Sequence, residues 1–178
     1  MDIISVMNDK ALKGTKKRAA VIELIVSGSL NCEQIEAIST EINDKQMATI
    51  LEAIEEISNK RLVQLSSSYL LFAIPYIKSE NNNCRREASR FVGNMAAQYP
   101  DMIEEAISPL LDNTADEGTV IRRAAAYALI SHHNNRPIRT KRTIRQIDRH
   151  QQQRRRQRYQ KPIPQSLEKS LQGKKVTL

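Results

Sequence analysis

The chain has no tryptophan, and only 2 phenylalanines, 5 tyrosines and 5 glycines among its 178 residues. That scarcity removes the Gly-rich turns and the aromatic and β-branched runs on which β-sandwiches and dinucleotide-binding sheets depend. The 2 cysteines, Cys32 and Cys84, are too few for a disulfide framework or a closed four-ligand zinc site. No stretch approaches the ~18 consecutive apolar residues of a membrane span. Met1-Asp2-Ile3-Ile4 opens no secretory signal, so a cytoplasmic location without membrane contact is expected. A Gly-rich phosphate loop, a nucleophile elbow and a paired-carboxylate motif are all missing. The expectation is therefore a protein that is not an enzyme and carries no cofactor or metal.

What is present supports a packed core: 40% of residues are hydrophobic and 27% charged. The net charge of +8 is unevenly divided. Residues 1–131 hold 14 Lys and Arg against 18 Asp and Glu, a net −4, whereas residues 132–178 hold 14 against 2, a net +12. A mildly acidic body carries a strongly basic tail, and any inference from charge to nucleic acid applies to the tail alone.

Residues 1–131 read as a succession of short amphipathic helices. Lys17 to Val26 sets Ala20, Val21, Leu24 and Ile25 at helical spacing, with Gly28 as a stop. Asn31 suits the N-cap of a helix bearing Ile35, Ile38 and Ile42, which Asn43-Asp44 ends. The cleanest stripe is Met47, Ile50, Leu51, Ile54 and Ile57, with Glu52, Glu55 and Glu56 expected to face away. The apolar run Tyr69 to Ile77 is interrupted by Pro75, and Asn81-Asn82-Asn83 turns into a helix with Ala88, Phe91, Val92 and Met95. Pro100 is expected to start the next, through Leu111, and Val120 to Ile130 forms the last. With a weak first helix at Ile3–Leu12, this is an all-α domain of eight helices in four antiparallel pairs. Each helix has one apolar stripe and must bury it on its neighbours, which points to an α-solenoid over residues 1–131.

The pairs repeat. Cys84-Arg85-Arg86 through Val92 aligns with Ile121-Arg122-Arg123 through Leu129 at a shift of 37. A shift of 68, about two periods of 34, brings Lys17-Arg18 under Arg85-Arg86. Each pair is expected to have a basic doublet entering its second helix, then a small alanine where stacked helices approach closely, though the second pair, with Lys45, Ala48 and Leu51, fits only loosely. On Arg85, Arg86, Ala88 and Val92, then Arg122, Arg123, Ala125 and Leu129, with Pro75 and Pro109 in the preceding helices, the chain resembles the HEAT-repeat family, especially its short-period HEAT-like members. The resemblance is strongest over 67–131, extends through 1–66 and stops at His132. It implies a scaffold or adaptor, in a family that also contains nucleic-acid binders. The turn before Arg85 offers Asn81 to Asn83 in place of the aspartate of the family's inter-repeat Asp–Arg ladder.

The candidate partner-binding residues are the doublets Lys17-Arg18, Arg85-Arg86 and Arg122-Arg123. They suit phosphate or an acidic peptide on a protein partner; equally, one cation of each can tie down the neighbouring repeat while the other is solvated. His132-His133 with Cys32 or Cys84 lacks the spacing of a metal site and reads as solvated residues beyond the last helix. Cys84 before Arg85-Arg86 has the setting of a lowered thiol pKa, yet no histidine partner, so a buried inert thiol is expected. Residues 18–74 also mimic a winged helix, with Lys45–Ile57 as recognition helix and a wing made by Arg61–Leu65 and Tyr69–Ile74. Glu52, Glu55 and Glu56 would repel phosphates there. The same acidity and lack of tryptophan count against the HEAT-like DNA glycosylases.

From His132 the apolar periodicity ends. Residues 132–178 read as a basic, disordered tail, which is a nucleic-acid-binding arm through residues 136–158, a nonspecific extension, or the product of a reading-frame change just after Leu129. With one allowed set of codons, Arg139 to Ser166 read one base later gives a helix, a polar turn and a second helix. A frame change would also leave the last helix uncapped, with Ile121, Ala125, Ala128 and Leu129 as a bare edge. The nucleotide sequence through codons 125–178 decides this. An early stop in the shifted frame, or no amphipathic helix there, eliminates the frame change and leaves a basic arm to be explained.

Overall fold

The first turns of the helices are set by side chains that satisfy otherwise orphaned backbone N–H groups. The computed structural model describes residues 2–135, and every regular element among them is helical. Helix α1 (Ile3–Asn8) is capped by Asp2. Helix α2 (Gly14–Val26) is stopped at Gly28, whose φ of 74° lies in the left-handed region that glycine tolerates. Asn31 and Asn43 begin α3 (Cys32–Ile38) and α4 (Asp44–Lys60) with capping boxes, in which Gln34 and Gln46 accept the cap N–H groups at 2.8 and 3.0 Å. Helix α5 (Ser67–Ala73) tightens at Pro75 into a 3₁₀ helix, Ile74–Lys78. Asn81 caps α6 (Asn82–Met95), and α7 (Glu104–Asn113) and α8 (Thr119–Asn135) follow.

Several expectations are corrected. The first helix ends at Asn8 rather than Leu12, with Asp9 closing it, and α7 starts at Glu104 because residues 100–103 form turns. Tyr69–Ala73 is helical, and no strand occurs among the described residues, so the winged-helix wing does not form. The last helix continues past Ile130 to Asn135, and His132 is buried within it, not solvated beyond it. The would-be bare edge is also elsewhere: Ile121, Ala125, Ala128 and Leu129 are buried, whereas Val120, Tyr127 and Ile130 are exposed. Apart from residues 132–135, the basic segment, including the nucleic-acid reading of 136–158 and its expected disorder, lies outside the described residues.

The even-numbered helices pack in succession, α2 on α4, α4 on α6 and α6 on α8. Helix α1 lies against α2, α5 against α6, and α7 against α8 and the 3₁₀ helix. Ile50, Leu51, Ile54, Leu70, Phe91 and Leu110 are fully enclosed, which removes their apolar surface from water. Asn113 donates to the Ile77 carbonyl at 2.8 Å and ties α7 to the 3₁₀ helix.

Helix α6 reaches α8 closely because Gly93 has no Cβ. A methyl there would sit 2.7 Å from Tyr127 Cε1 and 2.9 Å from Ala128 Cα. The tyrosine ring can swing aside, but the α8 backbone moves only with its whole helix. Gly93→Ala is therefore expected to destabilise the protein by about 1–3 kcal/mol, outweighing alanine's better helix propensity of about 1 kcal/mol. Urea denaturation followed by circular dichroism checks this; unchanged or raised stability would contradict the close packing.

Candidate functional site

The six cations picked from the sequence have different roles. Lys17 donates to the Met7 carbonyl and holds α1 to α2. Arg18 pairs across to α4 with Glu52 at 2.5 Å and Glu56 at 2.9 Å. Arg85 pairs with Asp116 of the α7–α8 turn at 2.9 Å, so an acid from further along the chain supplies what the Asn81–Asn83 turn lacks. Arg122 donates to the carbonyls of Asp116 and Glu117 at 2.8 and 2.7 Å, bracing the same turn. Arg86 and Arg123, one helix apart in the aligned register, are brought together on one groove.

That groove, about 360 Å³, crosses α4, α6 and α8. Glu55 and Asn59 come from α4, Arg86, Arg90 and Asn94 from α6, and Val120, Arg123, Ala124 and Tyr127 from α8. Glu55, expected to face away, is 5% exposed. It follows Leu51 by four residues, so helical geometry carries it inward with the apolar stripe. Arg90 bridges the two buried carboxylates, meeting Glu55 at 2.8 Å and Glu87 at 3.5 Å, and Arg86 Nε also pairs with Glu87, itself 2% exposed. Asn94 donates to Ser58 Oγ at 2.9 Å and accepts from the Tyr127 hydroxyl at 2.7 Å, linking all three helices. Arg90, Asn94 and Tyr127 are not basic-doublet residues, yet the shift of 37 sets Arg90 over Tyr127 and was the signal available.

Burial raises the Glu55 carboxyl above its ordinary value, and Arg90 and Asn94 pull it back. On α4, a hydrogen bond from Lys60, aided by Arg18, lowers that of Glu56. Cys32 and Cys84 are buried, and burial pushes both thiols up to about 11, so Cys84 is not activated by the neighbouring arginines. Burial lowers the His132 pKa. Among the described residues no group of three or more His, Cys, Asp or Glu is placed to hold a metal ion, and no helix is long and apolar enough to cross a membrane. Compared with known families, curated proteins and solved structures, the chain matches none.

The Arg90 bridge generates a pH-dependent expectation. Arg90→Gln strips Glu55 of its cation and leaves Glu87 with Arg86 alone, and the half-exposed position of Arg90 limits the loss to about 1–3 kcal/mol at neutral pH. Without the guanidinium the already raised Glu55 carboxyl rises further. A raised folded-state carboxyl takes up its proton before the unfolded chain does, so that contribution is present at low pH and lost as pH rises above the ordinary value of 4.5. The deficit of Arg90→Gln against wild type should therefore shrink in mildly acidic urea titrations. An equal deficit at both pH values would contradict the bridge.

Proposed function

We propose that the chain is a non-catalytic scaffold of the HEAT-like helical-repeat kind, working in the cytoplasm and binding a protein partner on the surface of its second helices. In this reading the helices form an α-solenoid of about four antiparallel pairs: α1 with α2, α3 with α4, α5 and its 3₁₀ extension with α6, and α7 with α8. The succession of α2, α4, α6 and α8 supports the stack. The observation that carries the function is the α4–α6–α8 groove, which sets exposed Val120 and Tyr127 beside Arg86, Arg90 and Arg123. Arginine and tyrosine around an apolar patch are the residue types enriched where protein partners dock.

A second reading, nucleic-acid binding through residues 136–158, is favoured by the net +12 of residues 132–178. Full-length protein separates the two. A photo-crosslinking residue in place of Tyr127 should give a discrete protein adduct that Val120→Glu abolishes, while one in place of Glu33 on α3 should give none. Adducts confined to position 33, or association only with nucleic acid and steeply lost with salt, would overturn the scaffold reading.

A further inference from the structure

Resting on that docking reading, we infer that the α4–α6–α8 groove receives a partner segment carrying a single carboxylate next to an apolar side chain. The inference comes from how the repeated cation is satisfied along the second helices. Arg18 on α2 holds two carboxylates, Glu52 and Glu56. Its counterpart Arg86 on α6 holds one, Glu87, through Nε alone, and lines the groove. The next counterpart, Arg123 on α8, is exposed and has no acidic partner among the described residues. The series ends on a guanidinium whose acid is not supplied by the fold.

Charge balance sets the ligand's valence. Three arginines face the groove, and the buried carboxylates of Glu55 and Glu87 neutralise two of them through Arg86 and Arg90. One positive charge is left over. One carboxylate closes that balance, with a guanidinium fork suited to accept it side-on. A phosphate dianion would exceed it by one charge and sit near two buried carboxylates that repel it. The apolar half follows from α8, where Val120 and Tyr127 are 55% and 44% exposed, one turn to either side of Arg123. A peptide side chain laid along Val120, Ala124 and Tyr127 gains burial while its neighbouring acid meets Arg123.

Selection of a random displayed peptide library on the immobilised full-length protein tests this. Counter-selection uses the Arg123→Gln protein, which keeps the same basic tail and so removes tail binders. Circular dichroism on Arg123→Gln and Val120→Glu verifies that these exposed substitutions leave the fold intact. Surviving peptides are expected to converge on Asp or Glu within two positions of an aliphatic or aromatic residue. Changing that acid to its amide should weaken binding about tenfold or more, the scale of one charged hydrogen bond. Binders lost in Val120→Glu but lacking an essential acid overturn the inference and leave the docking reading standing. Phosphoserine binding more tightly than the acid does the same. Absence of binders after counter-selection overturns the inference alone, whereas binders indifferent to Val120→Glu remove both.

Discussion

Glu55 on α4 and Glu87 on α6 bring two negative charges into the fold at 5% and 2% exposure, and much of the remaining arrangement answers that constraint. Buried carboxylates demand partners, and the cations in reach come from α6 itself: Arg86, adjacent to Glu87, and Arg90, one turn on. An ion pair of this kind adds little net stability over apolar residues of equal volume. Its effect is on register. Sliding α6 one turn along α4 would part Arg90 from Glu55 and Asn94 from Ser58 together, so these contacts favour the seat that α6 occupies. Once seated, α6 presents Gly93 to α8, and Asn94 bonds to both neighbours.

The helical class and most helices were legible because the apolar stripes keep a clear period. Met47, Ile50, Leu51, Ile54 and Ile57 are all buried as the spacing requires, and Asn31 caps where its side chain suggested. The departures have physical causes. Glu55 lies on the buried side of its helix, but a charge at a core position is read as outward unless its partner is known, and Arg90 is 35 residues away. The end of α8 was missed for a similar reason: His132 follows Ala125 by seven residues and continues the stripe, though its polarity suggests solvent. Asn43 read as a helix stop is also the next helix's start, a box that Gln46 three residues later announced.

The candidate site was half legible. The basic doublets mark second-helix starts, but sequence alone does not separate a bracing arginine from a presenting one. The difference lies in which acids the neighbouring elements bring near. Arg85 and Arg122 are drawn to the α7–α8 turn by Asp116 and its carbonyls, whereas Arg123 points from the last helix, where no further helix among the described residues supplies an acid.

The buried imidazole of His132 gives the last turn of α8 a chemical dependence that its apolar neighbours lack. Its Nδ1 has no hydrogen-bond partner, and burial, with a smaller contribution from His133, outweighs the opposing pull of Glu104 and lowers the ring's pKa from its ordinary value. A base with a lowered folded-state pKa charges more readily when unfolded, so its contribution is intact above the ordinary value of 6.5 and erodes as pH falls. Acidification therefore weakens the burial of His132 on α8, while its apolar neighbours Ala128 and Leu129 carry no such dependence.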